Sequence, residues 1–570
     1  MTSLRERPLP LLGPEHATRG RRARLSAAAA TALPTVVLAW HQSLYGRWIV
    51  DDAAITFAYA RSIATGAGPV LQPGAEEVEG WSNPAWLAVL VVARWLGLFD
   101  RGAWFGVPDL VLLPKALALV LCASMFAAFF VICRAVRVPA PGVVTAGAGV
   151  AVAGVPSFAI WTTSGLENPL LAAAAVWLAA VLARAATREQ LGGWDVATCC
   201  GLLAALAALT RPDGLVYVAA YPIAVLLLFR GRSSRAATAV AVSLVVFAVP
   251  VGLYLWWRMA TFGMWLPNTA LAKAQSTPGL EDLQRPSQLV AYGGWLLTVV
   301  AVGLVGAALA APGRARTGLV AVLTPLGLAL VAYAVLEADW MGEHRFATPV
   351  WPLAAVATAA AAAVVLPGLA ARARVIAVAV GLVAATVSGV AWAGAAERFR
   401  ATPTTTMCAT AQVMGATVNE FGRILGVTSG RIATPDIGGA ALSSRYQVLD
   451  LGGLTSPVVA RFWRDQDMAG LRDHVLDEVR PEFIELHGGW ATASGLLDDP
   501  RMDAGWVPIL KVRETAGWWV RRDLATPQGL AAATAHAQTV GMHWRGHYMS
   551  RARRSSCGET LTPSVGPVLA

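Results

Sequence analysis

Residues 108–133 form an apolar run that reads PDLVLLPKALALVLCASMFAAFFVIC, and Arg134 and Arg137 follow it closely. A membrane-spanning helix needs about 20 predominantly apolar residues, so this run is long enough to cross a bilayer. Arginines at one end of a span are typical of the cytoplasmic side, where basic residues accumulate. The run therefore predicts a transmembrane helix whose C-terminal end faces the cytoplasm.

The composition of the whole chain agrees with this prediction. Of 570 residues, 56% are hydrophobic and only 14% are charged, against roughly a quarter charged in an ordinary soluble domain. A soluble protein of this length exposes too much surface to water for such a composition. The same figures exclude intrinsic disorder, a collagen-like repeat and a small disulfide-rich module. The chain is predicted to be a polytopic α-helical membrane protein.

Apolar runs of about spanning length recur along the chain and predict about eleven transmembrane helices between residues 25 and 395. They lie near 25–45, 108–133, 139–160, 166–185, 195–210, 214–229, 235–259, 289–311, 317–336, 347–367 and 373–394. The run 84–99 is short and contains Arg94, so we expect it to be interfacial or re-entrant. The first run lacks a small-residue cleavage site, which favours an uncleaved anchor over a signal peptide.

The basic residues orient these helices. With residues 1–24 as a basic cytoplasmic tail, every basic cluster between the runs falls on the cytoplasmic side. The clusters include Arg134 and Arg137, Arg184 and Arg188, Arg230, Arg232 and Arg235, Arg314 and Arg316, and Arg372 and Arg374. The alternate loops, and everything after residue 395, then face outward, as expected for a multi-pass plasma-membrane protein. The net charge of +10 is thus explained by topology and membrane lipids, and nucleic acid is not an expected partner.

The last third of the chain has a different composition. Residues 396–526 alternate short apolar strands with polar helices, which predicts an extracytoplasmic α/β domain. The expected strands are 431–434, 446–451, 483–486 and 507–512, with an amphipathic helix at 467–479. Residues 527–570 are expected to form a basic, loosely ordered tail. Cys408 and Cys557 would both face an oxidising compartment, where they either form a disulfide or remain free thiols.

Two adjacent acids, Asp51 and Asp52, follow the first predicted helix. Ile55, Tyr59 and Ile63 recur every four residues after them, which predicts an amphipathic helix lying on the membrane. One aspartate suffices to cap such a helix. A pair of carboxylates repel each other, which raises the pKa of one and suits a general base beside a membrane-embedded substrate.

The first outer loop, residues 46–107, contains further polar residues after this helix. Glu79, Trp81 and Asn83 lie in a segment rich in glycine and acidic residues. Carboxylates can bind sugar hydroxyls, and a flat indole can stack on a sugar face. An ordinary surface turn, with the tryptophan as an interfacial anchor, explains the same residues.

Several short motifs together resemble a known family. The runs DDAAITF at 51–57 and VEGWSNP at 78–84 are similar to the first outer loop of a GT-C glycosyltransferase family that includes the mycobacterial terminal β-(1→2) arabinofuranosyltransferases. Ala54 replaces the aromatic residue usual in that family. Further matching segments follow in the same order, namely TSGLE at 163–167, TRPDG at 210–214, FG at 262–263 with PNT at 267–269 and Lys273, DWM at 339–341 with Arg345 and Phe346, Asp436 with Gly438, and DLGGLT at 450–455. Glu337 and Ala338 stand where glycines are expected.

The resemblance implies a GT-C fold, a polyprenyl-phosphate-linked sugar donor and a cell-envelope glycan acceptor. It implies that Asp51 or Asp52 is the general base and that cationic side chains bind the donor phosphate. The phosphate candidates are Arg345, Lys273 and Arg211; the sugar or acceptor candidates are Glu79, Trp81, Asn83, Glu167, Asn268, Asp339, Trp340 and His344. Internal ion pairs are alternatives for Arg211 and Arg345, and snorkelling to the interface is the alternative for Lys273.

No cofactor is implied. Asp51, Asp52 and Glu79 could offer oxygen ligands to a divalent metal, although we do not expect a metal requirement. The expected sugar is arabinofuranose, with a mannosyltransferase or another polyprenyl-phosphate-sugar transferase as the alternative. From other functional classes, a lipid or solute transporter and a non-catalytic scaffold remain as alternatives. Transporters usually carry internal repeats and mid-membrane polar residues, neither of which is evident here.

Overall fold

The computed structural model describes residues 14–544 except 274–278, 280, 281, 283 and 338. Six of its helices are long and apolar enough to cross a membrane, and two bent pairs bring the number of candidate spans to eight. The six are Asp109–Val136, Asn168–Thr187, Ser233–Phe262, Arg314–Val335, Val350–Val365 with its extension to Gly368, and Ala371–Ala401. The prediction of a polytopic helical membrane protein is confirmed.

Each remaining apolar run is also helical. The bent pairs are Pro141–Gly154 with Pro156–Thr163 and Pro286–Gly293 with Trp295–Ala310, with bends of 78° and 105°. The first helix is Pro14–Ser43, and the shorter apolar helices are Pro84–Trp95, Trp194–Thr210 and the continuous stretch Pro212–Leu228. Eleven spans stay a prediction, because only six to eight satisfy the length and hydropathy requirement. Pro84–Trp95 is too short to span a bilayer, in agreement with an interfacial or re-entrant segment.

The alanine-rich helix Asn168–Thr187 lies at the centre of the membrane domain. It packs against Asp109–Val136, Trp194–Thr210 and Arg314–Val335, and nearly all of its residues are buried. Small side chains let helix backbones approach closely, which is the main source of van der Waals contact between helices in lipid. This packing holds the loops at each end of the bundle in fixed relative positions.

The helix expected after the first span is present as Asp51–Ala64. It does not, however, lie on the membrane with a polar face in solvent, because ten of its fourteen residues are buried. Pro84–Trp95 packs on it from the first outer loop, and Gly438–Ser443 packs on it from the C-terminal domain. Alanines at 53, 54, 58 and 60 leave room for these two neighbours.

The C-terminal domain contains a five-stranded mixed sheet. In chain order, after a small hairpin of β1 (Ala103–Trp104) and β2 (Val107–Pro108), its strands are β3 (Arg431–Thr434), β4 (Gln447–Asp450), β5 (Phe483–Leu486), β6 (Trp506–Arg513) and β7 (Ala516–Arg521). Their order is β4-β3-β5-β7-β6, with β3 parallel to β4 and β5. The α/β prediction is confirmed, including all four expected strands, while β7 was not foreseen.

Short helices surround this sheet and connect it to the membrane domain. They are Met407–Thr410, Ala411–Ala416, Thr417–Leu425, Gly438–Ser443, Pro457–Asp465, Met468–Asp473, His474–Val479, Gly488–Ser494 and Pro500–Gly505. Met468–Asp473 and His474–Val479 together form the amphipathic segment predicted at 467–479. Leu471, Val475 and Leu476 give it its buried face.

The segment after residue 527 corrects one expectation. Pro527–Trp544 is a helix rather than a loosely ordered tail, and Ala533 and Ala537 are buried against the side of Thr417–Leu425. These small apolar residues are four positions apart and form a helical packing face. The prediction of a loosely ordered tail rested on the basic residues and did not take this face into account. Cys408 is disulfide-bonded, which agrees with an oxidised cysteine there; Cys557 and the basic residues after 544 lie outside the described residues.

Candidate functional site

Asp51 joins the membrane domain to the C-terminal domain. The backbone N–H of Gly438 donates to its Oδ2 at 3.0 Å and that of Gly439 to its Oδ1 at 2.7 Å. The hydroxyl of Thr410 donates to Oδ1 as well. Both carboxylate oxygens are therefore engaged, and the side chain is buried. Asp51 thus positions the outer domain over the first outer loop.

Asp52 faces a different environment. It is half-buried, and within the described residues no side chain or backbone group donates a hydrogen bond to it. Burial raises the pKa of Asp52, while the positive charges of Lys273 and Arg345 lower it. Asp339 and Glu167 act on it in the opposite direction. An open carboxylate among mixed charges has the character of a proton acceptor.

Arg345, whose charge acts on Asp52, forms an ion pair. Its Nε is 2.7 Å from Oδ2 of Asp339, and its Nη2 donates to Oδ1 of the same side chain at 3.2 Å. The guanidinium also lies 5.7 Å from the ring centre of Trp161. Pairing with an acid, the alternative considered from the sequence, is thus present. One carboxylate does not use all five N–H donors of arginine, so the guanidinium retains donors for a phosphate.

Arg211 forms the second arginine centre. Its Nε donates to Asp213 at 2.8 Å, and its Nη1 lies 3.4 Å from Glu167. The guanidinium is 4.6 Å from the ring centre of Phe346, and that of Arg345 is 4.9 Å from the same ring. The aromatic ring of Phe346 therefore brings together two arginines that lie far apart in the sequence. The internal ion pair considered for Arg211 is present.

Lys273 is the cation of the cluster with no carboxylate in contact. It follows the short helix Asn268–Ala272, its side chain is exposed, and no described acid lies within 4 Å of its amine. Its charge still acts on Asp52. An ammonium with no described acid in contact, whose charge acts on the carboxylate of Asp52, is suited to an anionic ligand.

Two candidates for sugar binding instead support the loop. Glu79 is fully buried, and it accepts hydrogen bonds from Arg258 at 2.5 Å and 2.9 Å and from Tyr254. Trp81 is buried, and its indole N–H donates to Tyr254 at 3.2 Å. Neither side chain is open to a ligand in this conformation. A buried ion pair between Glu79 and Arg258 was not foreseen, because Arg258 lies within an apolar run.

Asn83 and Asn268 also form internal hydrogen bonds. The Asn83 amide donates to Oε2 of Glu167 at 2.7 Å, which links the first outer loop to the start of Asn168–Thr187. The Asn268 amide donates to the carbonyl oxygens of Gly453 and Leu454 at 2.7 Å and 2.9 Å. Its Oδ1 is buried without a described partner. Both asparagines thus connect segments that carry the other site residues.

Trp340 and His344 occupy the loop that carries Arg345. Trp340 is 64% exposed, so its ring is free to meet a ligand or a lipid. His344 shares a hydrogen bond of 2.8 Å with Tyr333, and burial lowers its pKa. Gly342, Glu343 and His344 all have positive φ, between 47° and 75°. A neutral, positioned His344 does not add to the positive charge of the cluster.

A cluster of polar residues lies at the carboxyl ends of β3 and β5, and two of its members, Glu485 and His487, were missed in the sequence analysis. His487 Nε2 is 3.5 Å from Oδ2 of Asp436, and its Nδ1 is 3.0 Å from Oε1 of Glu485. The two acids, with the nearer Glu485 contributing most, outweigh burial and raise the pKa of His487 to about 9. Only Asp436 belonged to a recognised motif, whereas His487 had no sequence signal. Ligands of open α/β sheets commonly bind at this edge.

This edge adjoins the membrane-domain acids. Burial, with a contribution from Asp436, raises the pKa of Asp51 to about 7. Burial also raises the pKa of Asp436 to about 6, and the charge of Asp52 acts in the same direction. The domain interface therefore contains three mutually repelling carboxylates, next to the cations of the membrane domain.

The described residues contain no group of three or more His, Cys, Asp or Glu side chains arranged for a metal ion. Of the three oxygen donors considered, Asp51 is held by the outer domain and Glu79 by Arg258. Asp52 alone retains an open carboxylate. These three acids accordingly do not form a ligand set.

The chain is similar to several solved structures at low sequence identity. No family model and no curated protein matches the chain. Among solved structures, ArnT from Cupriavidus metallidurans bound to undecaprenyl phosphate is similar over 79% of each chain, with 15% identity and a TM-score of 0.42. AglB from Archaeoglobus fulgidus, an oligosaccharyltransferase in complex with an inhibitory peptide and a dolichol-phosphate, covers 80% of this chain and 69% of its own, with 11% identity and a TM-score of 0.47.

Proposed function

We propose that this chain is a membrane glycosyltransferase of the GT-C class. It transfers a sugar, with arabinofuranose as the first candidate, from a polyprenyl-phosphate donor to a cell-envelope glycan on the outer face of the plasma membrane. The observation that carries the proposal is the carboxylate of Asp52, to which no described group donates a hydrogen bond and on which the positive charges of Lys273 and Arg345 act. A base in the field of two cations matches the charges of a reaction that releases a phosphate.

The reaction requires one bond to form and one to break. Asp52 accepts the proton of an acceptor hydroxyl, whose oxygen forms a bond to the anomeric carbon of the donor sugar. The bond between that carbon and the phosphate oxygen breaks, and polyprenyl phosphate leaves with the electron pair. Lys273 supplies a point charge, and Arg345 supplies a planar fork, to the leaving phosphate.

The outer domain supplies the acceptor side of this proposal. Its sheet edge with Asp436 and His487 adjoins the membrane-domain acids, so a glycan bound there would have its hydroxyl near Asp52. Asp339 and Glu167 would orient sugar hydroxyls, and Trp340 would stack on a sugar face. The N-terminus is cytoplasmic in this arrangement, since the site must face the compartment that contains the glycan.

The test is turnover by the purified full-length protein in detergent. Synthetic polyprenyl-phospho-arabinose and a short arabinan are supplied, and products are identified by mass spectrometry. We expect one pentose to be added, and we expect Asp52→Asn to lower kcat by at least about 10²-fold, the usual size of a lost general base. Asp465→Asn, on the outer-domain surface, is the matched control and should retain full activity.

Other donors separate the alternatives. If polyprenyl-phospho-mannose is consumed and the arabinose donor is not, the enzyme class stands and the sugar is corrected. If no polyprenyl-phosphate sugar is consumed under conditions in which the protein remains monodisperse, the proposed enzyme class is wrong.

A further inference from the structure

A polar cavity lies at the end of the helix bundle opposite the candidate functional site. It has a volume of about 520 Å³, and it lies where Asp109–Val136 and Asn168–Thr187 end and Arg314–Val335 begins. Five arginines surround it, together with Phe130, Val131, Ala135 and Thr187. The arginines are Arg134, Arg137, Arg184, Arg188 and Arg314.

Close helix packing builds this cavity. A Cβ atom at Gly318 would lie 2.8 Å from Val136 Cγ2 and 3.3 Å from Thr187 Cγ2. The glycine therefore lets Arg314–Val335 approach the ends of both other helices. Arg137 ends Asp109–Val136 with a left-handed φ of 62°, which turns the chain at the cavity wall. The arginines converge because of this packing, although the sequence separates them into three clusters.

No described acid balances the charge of the cavity. Within the described part of the chain, none of its five arginines forms an ion pair, whereas Arg211, Arg258 and Arg345 on the opposite side each pair with an acid. Five like charges around one cavity repel one another. An anion bound between them would remove this repulsion.

The cavity is separate from the candidate catalytic site. At the N-terminus of the helix Asn168–Thr187, the side chain of Asn168 donates to the carbonyl oxygen of Arg345 at 3.2 Å. Arg184 and Arg188 lie at the C-terminal end of the same helix. A helix of 20 residues is about 30 Å long, which is the thickness of the hydrocarbon core. The two arginine groups therefore lie at opposite faces of the membrane, and one phosphate cannot contact both.

We propose that this five-arginine cavity binds the phosphate-bearing head group of an anionic phospholipid. Guanidinium groups match phosphate oxygens with paired N–H donors. Phe130, Val131 and Ala135 add an apolar wall on the helix that reaches into the bilayer, which suits the glycerol and first acyl carbons of a lipid. A soluble phosphate compound shares the head-group chemistry but makes no use of this wall.

The experiment measures lipid retention by the full-length protein with native mass spectrometry. The probes are phosphatidylglycerol, zwitterionic phosphatidylcholine and inorganic pyrophosphate, each added to delipidated protein in detergent. The cavity variant is Arg134→Gln, Arg184→Gln and Arg314→Gln together. The matched control is Arg316→Gln, Arg372→Gln and Arg374→Gln, which removes the same charge from exposed arginines outside the cavity.

We expect wild type and control to retain phosphatidylglycerol but not phosphatidylcholine. The cavity variant should bind phosphatidylglycerol roughly a hundredfold more weakly than wild type, because it loses three basic contacts to the lipid phosphate. If pyrophosphate binds and depends on the cavity arginines while neither lipid is retained, the lipid assignment is overturned in favour of a soluble phosphate ligand. Equal loss in both variants, or retention in the cavity variant, overturns the site itself. Should the triple variant aggregate, Arg184→Gln alone is compared with Arg316→Gln.

Discussion

The backbone N–H of Gly439 donates a hydrogen bond of 2.7 Å to the carboxylate of Asp51, across 388 positions of the chain. This contact belongs to a wider interface between the two domains. The amide of Asn268 reaches the Gly453 and Leu454 carbonyls, and a Cβ atom at Gly80 would lie 2.6 Å from Thr455. The motifs of the membrane domain thus pack directly on the motifs of the outer domain.

The first prediction separates the two adjacent aspartates. In Asp51→Asn, an amide N–H₂ replaces one acceptor and faces the N–H donors of the outer domain, so we expect a loss of about 1–3 kcal/mol in unfolding free energy. Asp52→Asn should leave the melting temperature unchanged or raise it, since no described group donates to Asp52 and burial raises the pKa of its carboxyl group. Thermal unfolding of both variants in detergent measures this difference. Equal melting temperatures for the two variants would contradict the positioning role of Asp51.

The second prediction concerns Gly438. A Cβ atom there would lie 2.1 Å from the Asp51 backbone oxygen and 2.8 Å from its Oδ1, so Gly438→Ala must displace the outer domain. We expect faster limited proteolysis near residues 396–406 and a lower melting temperature. Gly489→Ala is the matched control, because a Cβ atom at that position meets nothing within 4 Å. Unchanged proteolysis of Gly438→Ala would show that the contact is not rigid.

The third prediction is a fall in stability as the pH rises. The pKa of Asp51 is raised to about 7 and the pKa of Asp436 to about 6 in the folded protein, above their ordinary value of 3.8. A carboxyl group with a raised folded pKa binds its proton more tightly when folded, so its stabilising contribution is complete below about pH 4 and is lost as the pH rises through 6 and 7.

Melting temperatures from pH 4.5 to 7.5 test this directly, and we expect a steady decrease. Asp436→Asn removes one titrating group and should flatten the curve. The His487 pKa, raised to about 9, extends the decrease above pH 7.5, because a histidine with a raised folded pKa loses its contribution through that value. A melting temperature that increases across the range would contradict this linkage.

The fourth prediction concerns the donor phosphate. Lys273→Gln removes a charge that no described acid contacts, and Arg345→Lys keeps the charge but loses the planar fork. We expect each to lower kcat/KM for the lipid donor by about 10-fold or more, equivalent to about 1.4 kcal/mol, with no change in the KM of the glycan acceptor. Lys511→Gln, on an exposed strand position, is the control. An effect confined to the acceptor KM would remove both residues from the donor site.

The fifth prediction tests the edge of the outer sheet. His487→Gln removes the positive charge held by Glu485 and Asp436, and we expect a higher KM for the glycan acceptor with an unchanged KM for the donor. The pH profile of kcat/KM for the acceptor should also change at its basic limb. His474→Gln is the matched control, since that histidine pairs with Glu478 on the surface of the outer domain. A change of donor KM alone would exclude the acceptor role.

The sequence by itself determined the membrane class, the apolar helices and four of the five outer strands, because periodicity and hydropathy act locally and are visible in short windows. It also singled out Asp51, Asp52, Lys273, Arg211 and Arg345 as residues of interest. It could not separate the two aspartates, since both occupy the first turn of one helix and differ only in what packs against each.

Tertiary structure made that distinction. Gly438 and Gly439, nearly 400 positions away, engage Asp51 and leave Asp52 open. Folding also buried Glu79 against Arg258, brought His487 to the domain interface, and gathered five arginines from three clusters around one cavity. Each of these outcomes depends on which helices and strands pack together, and such long-range contacts leave no periodic signal in the chain.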